Sequence, residues 1–431
     1  MNQPTRRATQ RAFCIAALPD DENLEELHEL LRTAGVEVMG EMIQRREQPH
    51  PNTYLGPGKV TEAKQAAHEC DANVIVCDDE LSARQERNLE QALGMPVVDR
   101  TTVILDIFAT HASSAEGKLQ VELAQLEYNL ARMRGLWTHL ERLGGGIGTR
   151  GPGETQIETD RRLARNRIAA LRRRLEHVKG TRSVMRAERE RAALPNIALV
   201  GYTNAGKSTL LNALTGADVG VRDRLFHTLD PSTRMMRIDG RAHLLTDTVG
   251  FIRKLPHQVV DAFGATLQET RLADLLLHVL DASAPEHDQL AMRKAVEEVL
   301  EEIGAGERPR VLVLNKIDLL DEEAREELRL AHPDAVLVSG GAPHPKGGVG
   351  EGLHELEQRI EQELRHTLRP MELLVPYSQG GSLAELHDIA GDLRRQDTPE
   401  GVLVRALVPA RLAERYAKFA VTNGSAVVAT P

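Results

Sequence analysis

The stretch Gly201-Tyr202-Thr203-Asn204-Ala205-Gly206-Lys207-Ser208 constrains this chain more than any other. It matches G-x-x-x-x-G-K-[ST], and its setting gives the match meaning. The apolar run Ile197-Ala198-Leu199-Val200 precedes it, and Thr209-Leu210-Leu211-Asn212-Ala213-Leu214 follows with helical spacing. Strand, glycine loop, then helix is the context in which such a loop cradles phosphates. The glycines let backbone N–H groups turn inward, and the helix N-terminus adds a partial positive charge. Lys207 is expected to reach the β- and γ-phosphate oxygens, and Ser208 to place its hydroxyl on Mg²⁺.

Two further motifs follow in order, each after an apolar strand. Leu244-Leu245-Thr246-Asp247-Thr248-Val249-Gly250 ends in D-x-x-G. Asp247 falls at the carboxyl end of its strand, where open α/β sheets gather ligands. It suits a magnesium site, and the Gly250 amide suits a γ-phosphate. Val311-Leu312-Val313-Leu314 then runs into Asn315-Lys316-Ile317-Asp318, an N-K-x-D element. Guanine offers N1–H and an N2 amino group, and the Asp318 carboxylate accepts both. Adenine would leave that carboxylate unpaired, which discriminates strongly. Each short motif occurs by chance; all three in this order point to a GTP-binding domain.

Between the first two motifs lies Phe226-His227-Thr228-Leu229-Asp230-Pro231-Ser232-Thr233-Arg234. One threonine here is expected to supply a second hydroxyl to Mg²⁺ and fold over the γ-phosphate as a switch. Spacing alone leaves Thr228 and Thr233 in competition. After D-x-x-G stands Phe251, where Ras-like proteins use a glutamine to orient the attacking water. Phenylalanine has no group for that, so hydrolysis is expected to be slow or assisted. Catalysis then rests on positioning and charge stabilisation by Lys207, Mg²⁺ and the loop amides, that of Gly250 among them.

The rest of the 431-residue chain has room for further domains, each with its own core. With 41% hydrophobic and 27% charged residues it reads as globular. No apolar run of about 18 residues is present to span a bilayer, and the polar, basic start, Met1 to Gln10, does not read as a signal peptide. Cys14, Cys70 and Cys77 fit buried thiols of a reducing cytoplasm. Phe13–Leu18, Val36–Met39, Asn73–Cys77 and Val97-Val98 read as strands. Helices are expected at Asn23–Ala34, up to about Cys70, and from the Ser82 cap to Leu93. This alternation implies a small α/β domain.

Leu119, Leu123, Leu126, Leu130, Met133 and Trp137 form one apolar stripe, and Ala164, Ile168, Leu171, Leu175 and Val178 a second. Gly144 to Gly153, a glycine-rich loop holding Arg150, lies between them, so a helical hairpin is expected. From Arg161 to Arg191, twelve Lys/Arg stand against three Glu, although the whole chain carries a net charge of −10. A charged helix face is ordinarily just solvated. Such an excess would repel itself unless a polyanion met it. Folded RNA, read by shape and backbone charge, fits best, because aromatics make up only 3% and stacking is disfavoured. Arg150, Arg161, Arg162, Arg165, Arg172, Arg173 and Arg174 are the candidate contacts.

With these features together, the chain resembles the HflX family of ribosome-associated GTPases. The resemblance is carried by Gly144-Gly-Gly-Ile-Gly-Thr-Arg-Gly-Pro-Gly-Glu-Thr-Gln-Ile-Glu-Thr-Asp160, by the loop Gly201–Ser208, and by Phe226 to Arg234. Asp247-Thr-Val-Gly-Phe-Ile-Arg253, Leu267-Gln-Glu-Thr-Arg271 and Asn315–Asp318 complete it. It implies docking on the large ribosomal subunit and GTP-dependent rescue or splitting of stalled ribosomes, or a part in ribosome assembly. It assigns Thr228 as the switch magnesium ligand and makes Asn204 a candidate for holding K⁺. It also implies a last guanine-contacting motif, normally S-A, at Ser339-Gly340-Gly341. The departure there leaves a backbone contact to guanine O6 as the expectation.

The expected fold is therefore α/β: an N-terminal α/β domain (11–115), a helical hairpin with its glycine loop and basic helix (116–193), a P-loop GTPase domain with a mostly parallel sheet (194–368), and a small α+β C-terminal domain (371–431) read as strand–helix–strand. A cytoplasmic monomer is expected. The alternative reading keeps the GTPase but gives it a protein regulator as main partner, with the basic helix merely solvated. A third makes it a structural RNA-binding protein whose nucleotide only stabilises the fold.

Overall fold

The computed structural model describes residues 10–19, 23–133, 152–192, 194–217, 225–226, 231–256, 259–260, 264–341 and 350–421, with backbone only at 152–157, 179–192 and 264–266. The chain divides into two compact units. One comprises 1–179, 222–230 and 254–264; the other comprises 180–221, 231–253 and 265–431.

The first unit begins with strands β1 (Arg11–Leu18), β2 (Glu37–Arg45), β3 (Val74–Cys77) and β4 (Val97–Asp99). They pair in parallel in the order β2-β1-β3-β4. β1 is buried along nearly its whole length, as a strand with neighbours on both sides and helices on its faces should be. Helices α1 (Glu25–Ala34), α2 (Pro57–Glu69), α3 (Ala83–Leu93) and α4 (Arg100–His111) connect or follow them. Ser82 starts α3 with a capping box, its hydroxyl accepting from the Gln85 amide. The expected thiols are there and unpaired: Cys14 and Cys77 are buried and Cys70 is half-buried.

α4 falls where the sequence suggests no element. Thr101-Thr102-Val103-Ile104 is rich in β-branched residues, which weakens any helical signal. Asp99 caps the helix through the Thr102 amide, and Val103, Ile104, Ile107 and Phe108 are buried. Burial and the cap outweigh propensity here. The Arg100 guanidinium, 2% exposed, is held by Asp78 at 2.8 Å and Glu26 at 2.6 Å.

Helices α5 (Ala115–Arg132) and α6 (Pro152–Ala192) carry the two predicted stripes. Leu119 and Leu123 pack with Ile168, Leu171 and Leu175, and Leu126 and Leu130 flank them. Trp137, Arg150 and the glycine loop lie outside the described residues up to Gly151.

The second unit is built on six strands: β5 (Asn196–Gly201), β6 (Ser232–Ile238), β7 (Arg241–Asp247), β8 (Leu275–Asp281), β9 (Arg310–Asn315) and β10 (Val336–Leu337). Their order is β10-β9-β8-β5-β7-β6, with only β6 antiparallel to its neighbour. Helix α7 (Lys207–Thr215) follows β5, and α8 (Gly264–Leu272), α9 (Glu286–Glu302), α10 (Glu322–Ala331) and α11 (Leu353–Leu364) follow in turn. Leu210 and Leu211 of α7 and Leu356 and Ile360 of α11 close one core with Ile197, Leu199, Leu277 and Val313.

The same unit ends in a three-stranded antiparallel sheet, β11 (Leu368–Val375), β12 (Gly391–Thr398) and β13 (Gly401–Pro409), in the order β11-β13-β12. α12 (Gly380–Ile389) and α13 (Ala413–Tyr416) accompany it. The expected strand–helix–strand therefore gains a third strand and a short helix. Arg241 of β7, 2% exposed, donates to the Ile389 carbonyl at 3.2 Å and so joins this sheet domain to the six-stranded one.

Candidate nucleotide-binding site

β5, β7 and β9 all point their carboxyl ends to one rim of the parallel sheet, and each of the three motifs begins there. Gly206 has φ of +89°, and a Cβ on it would lie 2.3 Å from Asn315 Nδ2. Only glycine makes that turn, which places Lys207 as the first residue of α7. Lys207 is 6% exposed, and its Nζ donates to the carbonyls of Gly201 (3.1 Å) and Tyr202 (2.7 Å). Burial pushes its pKa down to about 8, an effect that nearby Asp247 partly offsets.

Ser208 donates its hydroxyl to Asp247 Oδ2 at 2.6 Å, so the two residues expected to serve a cation are adjacent. Asp247 is fully buried at the end of β7. Thr248 donates to the Leu199 carbonyl at 2.6 Å, and Val249 is buried beside it. A Cβ on Gly250 would lie 2.8 Å from Thr203 Cα and 2.9 Å from Lys207 Nζ. The Gly250 backbone is thus packed against the phosphate loop, beside the Lys207 ammonium.

The N-K-x-D element, expected to read the base, is drawn onto the same loops. Asn315 donates Nδ2 to the Ala205 carbonyl at 2.9 Å and accepts from the Gly340 amide at 3.2 Å. Lys316, with φ of +66°, pairs with Asp281 at 2.6 Å. Ile317 is buried, and Asp318 Oδ1 accepts the Ser339 hydroxyl at 2.7 Å. Gly341 follows at the surface. Asp281, which holds Lys316, ends the apolar run Leu275–Leu280 as Asp247 ends its own, a local signal of the same kind.

The switch residues are only partly in view. Phe226 is 2% exposed and meets Phe108 edge-on, ring centroids 4.6 Å apart, within the first unit. His227, Thr228, Leu229 and Asp230 lie outside the described residues. Thr233 belongs to β6, and its hydroxyl is 3.0 Å from that of Thr246. Asn204 adopts φ of +61° at the tip of the loop.

On α6, Arg162, Arg165, Arg173 and Arg174 are exposed and Arg161 is half-buried. Arg172 pairs with Glu127 at 2.7 Å, and the neighbouring Arg167 with Glu122 at 2.6 Å. Two cations of the run are therefore met by α5 carboxylates, and self-repulsion is smaller than the sequence alone suggests. Such exposed pairs contribute about 0–1 kcal/mol.

Three family models match the chain in succession: a GTP-binding GTPase N-terminal region over 21–109, a GTPase middle region over 111–189, and a 50S ribosome-binding GTPase over 196–316. The chain is 45% identical over 420 residues to the GTPase HflX of Caldanaerobacter subterraneus subsp. tengcongensis, covering 96% of this chain and 95% of that one. It belongs to the HflX family of GTPases. The HflX of Escherichia coli is 48% identical over 357 residues, covering 81% of this chain and 82% of that protein. Among solved structures, a GTP-binding protein of Sulfolobus solfataricus in complex with GDP is 27% identical over 82% of this chain and 99% of its own, with a TM-score of 0.40. As a member of the family the chain is a P-loop GTPase that binds GTP and GDP and hydrolyses GTP. Among the described residues, no helix is long and apolar enough to cross a membrane.

Proposed function

We propose that this GTPase is a cytoplasmic, monomeric switch that docks on the large ribosomal subunit and acts in rescue or splitting of stalled ribosomes, or in their biogenesis. The carrying observation is the exposed arginine face of α6, Arg162, Arg165, Arg173 and Arg174, which no acidic residue of the chain is shown to neutralise in an ion pair among the described residues. Exposed guanidinium groups on one helix suit RNA phosphates, which they bind with release of counterions. The match to a 50S ribosome-binding GTPase model supports the same partner. In this reading, 11–115 and 116–193 dock, 194–368 binds nucleotide, and 371–431 is a separate accessory domain.

Within the site, the amides of Gly201 to Ser208 cradle the phosphates and Lys207 neutralises the β- and γ-oxygens. Asn315, Lys316, Ile317 and Asp318, with Ser339, Gly340 and Gly341, hold guanine. The Ser208 hydroxyl beside the buried Asp247 carboxylate is an all-oxygen donor pair, which fits Mg²⁺. Ser208, Asp247 and Thr228 would hold that ion, and when bound it would neutralise charge developing on the phosphate oxygens. Asn204 is the residue assigned to K⁺; equal hydrolysis in K⁺ and Na⁺ would remove that role. Lys207 and the Gly250 amide stabilise the charge, and Phe251 leaves the water to be oriented by another group.

The deciding experiment is cosedimentation with ribosomes across a salt series, with GDP or a non-hydrolysable GTP analogue. Binding that is stronger with the analogue and falls with salt is expected. Nucleotide-independent binding would sink the switch. The second reading, a protein regulator as main partner, draws on the Arg167–Glu122 and Arg172–Glu127 pairs. Absence of binding at low salt would favour it.

A further inference from the structure

The phosphate loop needs glycine at its first and sixth positions and lysine at its seventh; it asks nothing of the side chain at its second. Here that position holds Tyr202, 5% exposed. Its backbone serves the loop, since its carbonyl accepts the Lys207 ammonium. Its side chain does something else. The Tyr202 hydroxyl accepts a hydrogen bond from the Arg253 amide at 2.8 Å, reaching 51 residues along the chain.

Residues 251–253 lie alongside 201–203 through three separate bonds. The Phe251 amide donates to the Gly201 carbonyl at 3.1 Å, and the Thr203 amide donates to the Phe251 carbonyl at 2.8 Å. Tyr202 and Phe251 form a parallel bridge between them. The backbone pairing ends at Phe251, and the phenol takes hold two residues further on. Immediately beyond, Lys254 turns the chain through φ of +53°. The phenol thus grips the last residue before that turn, while Gly250, just before the paired stretch, is pressed against Thr203 and Lys207.

Resting on the nucleotide site proposed above, we propose that the Tyr202 hydroxyl is a positioning group that keeps the Gly250 amide in register with Lys207, and so sets the preference for a nucleoside triphosphate over the diphosphate. The selectivity follows from reach. Cradle amides, and Lys207 through the β-phosphate, meet phosphates that both nucleotides carry, whereas the Gly250 amide has only a γ-phosphate to meet. A group that fixes Gly250 therefore strengthens GTP binding and leaves GDP with little to gain.

Tyr202→Phe keeps the ring and removes the bond. Affinities for GDP and for a non-hydrolysable GTP analogue, measured by competition against a fluorescent nucleotide, should separate. The analogue should weaken about three- to ten-fold more than GDP, the loss of one ordinary hydrogen bond. With the analogue bound, the Arg253 amide should also exchange its hydrogen faster than in the parent. Tyr202→Met, an apolar, smaller and flexible side chain without the hydroxyl, should shift the ratio the same way. Equal losses for both nucleotides would mean that the whole loop had been damaged and would overturn the proposal. An unchanged ratio in both variants would overturn it as well.

Discussion

Ser339 donates its hydroxyl to Asp318 Oδ1 at 2.7 Å, so the carboxylate proposed to read guanine is itself held by the neighbouring loop. The bond anchors one carboxylate oxygen and leaves the remaining acceptor capacity for the base. Asp318→Asn should weaken GTP roughly ten- to a hundred-fold or more, because a charged acceptor for the guanine N1–H and amino group is replaced by a neutral amide. Xanthosine triphosphate carries a 2-oxo acceptor where guanine has a donor, and should bind the variant better than the parent. Ser339→Ala should weaken GTP only about five-fold, the cost of a mobile partner. Competition binding with the three nucleotides ATP, GTP and XTP separates these outcomes.

Gly250→Ala tests how tightly the D-x-x-G backbone is fitted to the phosphate loop. The added methyl would meet Thr203 Cα at 2.8 Å, which is backbone and cannot swing aside. One chain must move by several tenths of an ångström, which carries the Gly250 amide away from Lys207. Displacements of about 1 Å cost on the order of a hundred-fold in rate. Single-turnover hydrolysis should fall by up to about that factor, with GDP affinity changed much less. A normal rate would show that the Gly250 amide has no part in the chemistry.

The three motif loops were legible in the sequence because their work is done by backbone at strand ends, and local glycine, lysine and carboxylate placement encodes it. Contacts across long separations were not. α4 was missed because Thr101 to Ile104 look strand-like, and what holds the helix is distant: Arg100 meets Glu26 and Asp78. The partners of Arg167 and Arg172 stand 45 residues earlier, invisible to a count of charges within one helix. β12 escaped notice because Gly391 to Thr398 pairs with a single neighbour and shows polar residues on both faces, so no alternation marks it. The grip of Tyr202 on Arg253 is of the same kind: a tyrosine in a glycine loop has no local reason to announce its partner.

Lys207 makes nucleotide binding depend on pH with a definite sign. Burial lowers its pKa from 10.5 to about 8, against the partial opposition of Asp247. Phosphate oxygens beside the ammonium favour its charged form and raise the pKa again. Near pH 9 the free protein therefore holds Lys207 largely neutral, and the complex holds it charged. Binding should take up a proton, and GDP affinity should fall as pH rises above about 8, by at most roughly ten-fold per pH unit. Calorimetry at pH 9 in buffers of different ionisation enthalpy reads the uptake directly. No proton uptake there would mean that Lys207 is already charged before nucleotide arrives.

His278 supplies a stability signal on the acid side. It stands in β8 between Val200 and Leu312, 2% exposed, and its Nε2 has no hydrogen-bond partner among the described residues. Desolvation lowers its pKa from 6.5 to about 4, with Glu297 opposing. The folded state therefore refuses a proton that the unfolded chain accepts between those values. Stability linked to His278 is intact above pH 6.5 and is lost progressively as pH falls toward 4, reaching about 3 kcal/mol. His278→Leu, of similar size and without a titrating group, should flatten the fall in thermal midpoint over that window relative to the parent. An identical slope in parent and variant would assign the acid sensitivity to the carboxylates and leave His278 out of it.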